Sequence, residues 1–328
     1  MRVVHDPLRA SDLTRGGVVT IGNFDGVHLG HRRILETVAA RAKAIGRPSV
    51  AITFDPHPLA VLRPDHAPRQ IQTLRQKEEA IESLGIETLL VIPFTRDFSL
   101  TEPEDFVRGF LAERLGAAEA YLGQHFAFGR GKRGDLALLT RMGPECGFSA
   151  SGIEEVFFKG EPISSTRIRN ALEHGEIADA NAMLGRPYAL DGIVARGEKV
   201  GHKIGYPTIN LAPENDFQPA DGVYITRIEI RSFGRSFDGV TNIGRRPTLY
   251  DDMRATIETF VLDFSEDVYG ERVRLFFLER LREERKFPSV EALTEQIGRD
   301  IEAARAWFAR EGRVAGEGVG PSPEDQNV

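Results

Sequence analysis

The 328-residue sequence holds a single cysteine, Cys146. One thiol closes no intrachain disulfide, so the chain is expected to be held by packing alone and to live in a reducing compartment. No apolar run approaches 18 residues, which leaves no candidate for a membrane-spanning helix. The opening stretch, MRVVHDPLRA, lacks an apolar core of signal-peptide length. A soluble, cytoplasmic protein with no membrane partner is the expectation. Positive charge is not in excess: the net charge is −7 at pH 7. That argues against a nucleic-acid partner, although a local basic patch could still hold a phosphate. The pattern G-x-x-x-x-G-K-[ST] is missing, which excludes a Walker-type kinase. A monomer, or a chain that associates weakly with itself, is the expected state.

What is present is enough apolar sequence, 41%, to build real cores, and enough length for about two domains. Over residues 1–184, strand patterns at Val18–Ile21, Ser49–Phe54, Thr88–Phe94 and Glu119–Leu122, with a weaker one at Ile153–Phe158, alternate with helical spacing. The helices are expected at Gly30–Ile45, Leu74–Leu84, Pro103–Leu115 and Ser165–His174, the third opened by a capping box at Thr101-Glu102-Pro103-Glu104. Such alternation predicts a parallel sheet covered on both faces, with ligands beyond the carboxyl ends of its strands. Leu184-Gly185-Arg186-Pro187-Tyr188 reads as a helix end, a turn and a restart. Beyond it come short alternating runs at Ala189–Ala195, Gly222–Ile230, Arg235–Ile243, Thr256–Phe264 and Arg272–Leu281. They predict an antiparallel barrel or sandwich. A helix from Ser289, apolar on one face, closes this part over residues 185–310, and residues 311–328, rich in Gly, Pro and acid, are expected to be a disordered tail.

The first part is organised by Val18–Leu35, VVTIGNFDGVHLGHRRIL: a buried strand, a turn through Gly22, Asn23, Phe24, Asp25 and Gly26, then a helix start at His28-Leu29-Gly30-His31. The free N–H groups and positive dipole end of such a helix attract an anion, usually phosphate. Two imidazoles three residues apart share a helix face and can touch one group. H-x-G-H alone is a weak signal, with roughly 0.02 chance matches in a chain of this composition. A pair of cap histidines, or a metal site lacking an obvious third ligand, would explain it as well.

Three further stretches belong at the same sheet edge. Asp55-Pro56-His57-Pro58 follows a strand and is stiffened by its prolines. Gly123–Gly134 carries His125, Phe126, Phe128, Arg130, Lys132 and Arg133; its tail fits G-x-G-x-x-G, but the acid that a dinucleotide fingerprint needs is missing. It reads as a mobile basic loop over a nucleotide or as a solvated charged loop. Ser164-Ser165-Thr166-Arg167-Ile168-Arg169 places hydroxyls at a helix start, which plain capping would explain. Its two arginines oppose the helix dipole and make sense beside a polyanion.

In the second part, Gly201-His202-Lys203-Ile204-Gly205-Tyr206-Pro207-Thr208-Ile209-Asn210 is a Gly-punctuated segment in which alternation puts Thr208 and Asn210 on one side. A hydroxyl and an amide oxygen suit Mg²⁺ carrying nucleotide phosphates; a turn-rich loop is the plainer reading. Glu258 shares a strand face with Phe260 and Leu262, and the opposite face is also mostly apolar, so the carboxyl is expected to be buried. Burial would raise its pKa and suit it to general-base work, unless it pairs with Arg272 or Arg274 of the next strand.

The string G-N-F-D-G-V-H-L-G-H resembles the nucleotidyltransferase H-x-G-H signature in the form carried by bacterial FAD synthetases, and I-S-S-T-x-I-R and F-x-P-H-P resemble motifs of the same family. G-x-x-x-G-x-P-T-x-N resembles the flavokinase motif, with Ile209 where many members have Ala. The resemblance covers about residues 16–310, in family order. It implies a Rossmann-like α/β nucleotidyltransferase domain with a parallel sheet, followed by an antiparallel β-barrel flavokinase domain with a C-terminal helix. It implies that riboflavin is phosphorylated with ATP to FMN, and FMN adenylylated with a second ATP to FAD and pyrophosphate, both with Mg²⁺. His28 and His31 would act on the ATP phosphates with Gly22–Gly26, Ser164, Ser165, Thr166 and Arg169. Pro56, His57, Pro58, His125 and Phe128 would face the flavin nucleotide. Gly201, Lys203, Gly205 and Pro207 would bind the kinase's ATP, Thr208 and Asn210 its metal, and Glu258 would be the base for the ribityl hydroxyl. Asn242–Thr248 and Leu281–Phe287 are further family-like pieces. The family usually has Asn or Asp and Arg where this chain has His125 and Ala127. A chain in which only the kinase works, or a flavin-binding module with little chemistry, are the alternatives.

Overall fold

A computed structural model describes residues 1–196, 205–246 and 254–317. The chain forms two compact units, one of Met1–Asn170 with Ala182–Arg186 and Asn215–Phe217, the other of Ala171–Asn181, Pro187–Glu214 and the residues from Gln218 onward. In the first unit, strands β1 (Arg2–His5), β2 (Val18–Ile21), β3 (Ser49–Asp55), β4 (Thr88–Pro93), β5 (Glu119–Gly123) and β6 (Ser149–Ile153) form a parallel sheet in the order β1-β4-β3-β2-β5-β6. Helices α1 (Leu29–Ala44), α2 (Pro58–Leu62), α3 (Leu74–Glu82), α4 (Pro103–Asp105, continued as a π-type helix over Phe106–Arg114) and α5 (Leu136–Met142) join them. Alternate residues of one strand feed different cores: Val19 and Ile21 pack with Ile52 and Phe110, whereas Val18 packs with Ala51, Leu35 and Ile81. The sheet is therefore covered on both faces. From β2 the chain winds to β3 and β4 on one side and then returns to β5 on the other, so the end of β2 is the topological switch point.

Several elements differ from the sequence reading. The last strand is Ser149–Ile153, not Ile153–Phe158, because an edge strand with Ser149, Ser151 and Gly152 exposed shows no apolar run. Phe157–Phe158 (β7) instead pairs with Glu161–Pro162 (β8) in a hairpin. The capping box at Thr101–Glu104 does not form: Glu102 is the cap residue, and its carboxylate turns to Arg130 and Arg133. A capping box does form at Thr73 and Gln76, at the start of α3.

Helices α6 (Ser165–Glu173) and α7 (Ile177–Leu184) follow. After the turn at residues 185–187 the chain restarts as a strand, as the alternation at Ala189–Ala195 predicts. Strands β9 (Tyr188–Ala195), β10 (Ile209–Pro213), β11 (Gly222–Ile230), β12 (Arg235–Arg246), β13 (Arg254–Val261) and β14 (Arg272–Arg282) close an antiparallel barrel in the order β10-β13-β12-β11-β14-β9. Closure removes the sheet edges a sandwich would leave. Inside, Thr226, Thr241 and Thr259 satisfy one another through hydroxyl contacts of 2.7 and 2.8 Å. Outside, Val223, Ile225 and Val240 pack on Ala304 and Ile301 of helix α8 (Val290–Glu317). Helix α8 continues to Glu317, past the expected end at residue 310, since each residue added to a formed helix gains a hydrogen bond. Residues 318–328 of the expected tail lie outside the described residues.

Candidate functional site

The turn from Gly22 to His28 sits at the switch point, and its backbone is unusual. Phe24, Gly26 and Val27 all have positive φ, at 47°, 84° and 40°. For Phe and Val that conformation is costly and persists only when its surroundings hold it. Three groups do so. The buried Asp25 carboxylate accepts the Ile71 N–H at 3.0 Å and pairs with Arg169. Gln72 donates to the Phe24 carbonyl at 3.3 Å. Arg186 donates to the carbonyls of Gly26 and Val27 at 2.6 and 3.0 Å.

His28 is the N-cap of α1. Its Nδ1 accepts the His31 N–H at 3.4 Å, which leaves the proton of the neutral ring on Nε2. The two imidazoles stack at 3.7 Å with 21° between their planes. Two imidazolium rings would repel at that spacing. Burial, helped by the charge of Arg186, lowers the His28 pKa to about 4. Burial, with the charges of His28, Lys77 and Arg186, holds His31 well below its ordinary value. Each ring is thus a neutral donor above a helix start that has no acidic residue in its first turn.

His28 also makes stability depend on pH. Its folded pKa lies below its unfolded value of 6.5, so its contribution is complete above pH 6.5 and is lost as the pH falls through about 4. At about 1.4 kcal/mol per unit, the full effect is roughly 3 kcal/mol. The parent chain is expected to lose more stability than a His28→Asn variant between pH 6.5 and pH 4.5 in urea titrations. Parallel losses would refute the assignment.

His57 joins this site: Asn23 Nδ2 lies 3.4 Å from its Nε2, and its Nδ1 accepts the Leu59 N–H at 3.2 Å at the start of α2. Burial, then the charges of Arg169, Lys77 and Lys132, lowers its pKa to about 4. Pro56 and Pro58 flank it, the Asp55–Pro56 peptide being cis. Lys77, on α3, went unnoticed in the sequence. It is 6% exposed and makes no ion pair among the described residues, although its charge reaches Asp25 and Asp55. Burial lowers its pKa. Its spacing with Leu74 and Ile81 marks it as a cation on an apolar helix face.

Other expected contacts fall differently. Phe24 is a core side chain, edge-on to His31, and a Cβ on Gly22 would strike its ring at 2.8 Å. Phe128 is also core, packed on Phe106, and exchanges backbone hydrogen bonds with Gly134 at 2.8 and 2.9 Å. With Arg130 and Arg133 both on Glu102, the Gly129–Gly134 loop is pinned down rather than a free basic flap. His125 is exposed, 3.6 Å from Glu155. Ser164 caps α6 by accepting the Arg167 N–H, Ser165 donates to the Asp25 carbonyl at 2.9 Å, and Thr166 is exposed. Arg167 turns back to the carbonyls of Phe158, Glu161 and Pro162. Arg169 holds Asp25 and the Arg69 carbonyl, so it lies in the site already paired to a carboxylate.

In the barrel, Asn210 and Glu258 are direct register partners, and Asn242 is the partner of Glu258 on its other side. The strand is not buried on both faces, as the sequence suggested. Ile257, Thr259 and Val261 are enclosed, whereas Thr256, Glu258 and Phe260 are half-buried on the opposite face. Pairing with β14 does not arise from adjacency, because β13 and β14 lie across the barrel from each other; Arg272 engages Glu214, and Arg274 grips Asp191 at 2.6 and 2.7 Å. Thr208 immediately precedes β10, and Tyr206 packs edge-on to Phe260 at 5.6 Å. Gly205 has a φ of 85°, and Pro207 is exposed. Gly201 and Lys203 lie outside the described residues, as do Pro247 and Thr248. Glu284 lies against Gly244, which brings the two remaining family-like pieces together.

Residues 10–167 match the family model described as FAD synthetase, and residues 184–308 match that described as riboflavin kinase. A protein of Pseudomonas fluorescens named bifunctional riboflavin kinase/FMN adenylyltransferase is 38% identical over 90% of this chain and 94% of its own. Proteins of the same name from Escherichia coli K12 and Bacillus subtilis are 34% and 35% identical, over 94% and 89% of this chain and 97% and 92% of theirs. A solved structure described as a macrolide-efflux protein from Streptococcus pneumoniae is 28% identical, with a TM-score of 0.86 over 94% of this chain and all of that one. Among the described residues no helix is long and apolar enough to cross a membrane.

Proposed function

The chain belongs to the bifunctional riboflavin kinase/FMN adenylyltransferase family, and from that premise we propose how its residues divide the two reactions. Residues 185–310 phosphorylate riboflavin. The ribityl hydroxyl oxygen attacks the γ-phosphorus of ATP, its proton passes to the Glu258 carboxylate, and the bond to the departing ADP breaks. The pairing of Asn210 with Glu258 on adjacent strands supports this reading, since it sets a carboxylate beside a neutral oxygen donor. Thr208 and Asn210 would hold Mg²⁺. A hydroxyl and an amide oxygen suit a hard cation that takes its other ligands from phosphates and water. When bound, the ion neutralises charge on the transferred phosphate. Gly201, Lys203, Gly205 and Pro207 would line the nucleotide's path.

Residues 1–184 adenylylate FMN. A phosphate oxygen of FMN attacks the α-phosphorus of ATP and the bond to pyrophosphate breaks. No covalent intermediate is required, so positioning and charge carry the catalysis. The observation that carries this reading is the stacked, neutral His28–His31 pair at the start of α1, within reach of the charges of Lys77 and Arg186. The imidazoles donate to phosphate oxygens, and Ser164, Ser165, Thr166 and Arg169 flank them. Pro56, His57, Pro58 and His125 face the flavin nucleotide. The enzyme acts on small molecules in the cytoplasm, as a monomer or a weakly associating chain.

Incubation of the chain with riboflavin, ATP and Mg²⁺, followed by chromatography of the flavins, tests both halves. FAD with transient FMN is the expected result. FMN that never proceeds would favour a kinase-only chain, the reading to which the exposed His125 points. Bound riboflavin without conversion would leave a flavin-binding module.

A further inference from the structure

The match to the riboflavin kinase model begins at residue 184, yet Ala182–Arg186 packs with the first compact unit. Two observations bind this segment to the His28 turn. Gly185, with a φ of 71°, lies so close to α1 that an added Cβ would meet Leu29 Cδ2 at 2.5 Å. The Arg186 guanidinium donates to the carbonyls of Gly26 (2.6 Å), Val27 (3.0 Å) and Leu184 (3.4 Å) and to Gln72 Oε1 (3.0 Å). Gln72 in turn donates to the Phe24 carbonyl. The three residues with positive φ in this turn are thus held by Arg186 directly or through one side chain.

We infer that Arg186 is a positioning residue of the adenylyl-transfer site, clamping the strained Phe24–Val27 turn so that His28 and His31 stand at the start of α1. A planar, forked donor suits this task, because its fixed N–H directions satisfy several carbonyls at once. A lysine ammonium would keep the charge but could not span the same acceptors. The charge has its own effect. Among the described residues, the charges acting on the His pair come from Lys77 on α3 and Arg186 in the segment after α7, with each imidazole stacked on the other along α1. Arg186 is the one charge among the described residues that lowers the pKa of His28. A residue matched to the kinase model therefore serves the other reaction.

The inference rests on the reading of the His28 turn as the adenylyl-transfer site. Its test uses Arg186→Met and Arg186→Lys in the full chain, with four readouts: FAD formation from FMN, FMN formation from riboflavin, the NMR titration of the His28 imidazole, and the backbone amide shifts of the turn. In Arg186→Met, kcat for FAD formation is expected to fall about 100-fold, as for loss of a group that preorganises a charged site. FMN formation should stay within about twofold of the parent, on the same scale, and the His28 midpoint should rise from about 4. In Arg186→Lys the midpoint should stay low while kcat still falls about tenfold, because charge is kept and the fork is lost. FAD formation at the parental rate in both variants would overturn the inference, as would equal loss of both activities. Should the parent form no FAD, the reading of the turn fails by itself. The turn itself then decides for Arg186: unchanged backbone amide shifts over Phe24–Val27 in Arg186→Met overturn the clamp.

Discussion

Replacing Glu258 with glutamine is expected to lower FMN formation by about 10²–10⁴-fold, the range a positioned general base contributes, while supplied FMN is still converted to FAD. Glutamine keeps the shape and accepts hydrogen bonds, so the neighbours Asn210 and Asn242 retain a partner of the same size. What it loses is the capacity to take a proton from an attacking hydroxyl. Glu258 is half-buried on the outer face of β13, beside Phe260 and across from Asn210, so a substrate can approach it. A carboxylate placed there only for structure would show its loss in thermal unfolding and not in turnover. Undiminished FMN formation in Glu258→Gln would rule it out as the base. The reciprocal change, His28→Ala, should abolish FAD formation and leave FMN formation intact, because His28 and Glu258 lie in different compact units. Loss of both activities in either variant would break the two-site assignment.

The sequence shows the His28 site clearly because its chemistry is local. A four-residue buried strand, a Gly-containing turn and a helix start follow one another without a gap, and the resulting parallel sheet places them at the switch point. Residues that owe their place to chain reversal are harder to read. Asn210 and Glu258 become neighbours only through the strand order of the barrel, and Arg272 and Arg274, next in sequence, end up across it. Glu258 looks buried in sequence because Phe260 and Leu262 share its face and the opposite face is also mostly apolar; the hydroxyl ladder of Thr226, Thr241 and Thr259 shows that the Thr259 face is the inner one. Phe24 and Phe128 look like ligand contacts because they stand beside glycines. The glycines are there for the rings: each lacks a Cβ where a phenyl packs against it. Arg186 carries no local signal, since the carbonyls of Gly26 and Val27 that it holds belong to a distant turn. Lys77 does carry one, a cation at a helical position that apolar neighbours share.

Lys77→Met is expected to do two opposite things: to stabilise the chain and to disable adenylyl transfer. The ammonium is nearly enclosed, with no ion pair among the described residues, and the carboxylate whose charge it feels most, that of Asp25, is already held by Arg169. Burying a charge without a partner is costly, and replacing buried charge by an apolar side chain of similar length typically gains about 1–4 kcal/mol. The pH dependence has a definite sign. Burial lowers the folded pKa below the unfolded value of 10.5, so the folded state holds its proton less firmly than the unfolded one. The advantage of Lys77→Met should be full below the folded pKa and shrink as the pH is raised towards 10.5. Such a cost is tolerated where the charge is needed, and here it is felt by His31 and His57. A triphosphate entering the site would give the ammonium the partner it lacks. Loss of that charge is expected to lower FAD formation about 10²–10³-fold, as for removal of one donor from a preorganised anion site. Urea unfolding and FAD formation measured on the same preparation decide between the readings. A variant that is more stable and inactive supports a cation kept for substrate, and one that is less stable with FAD formation intact makes Lys77 a structural residue.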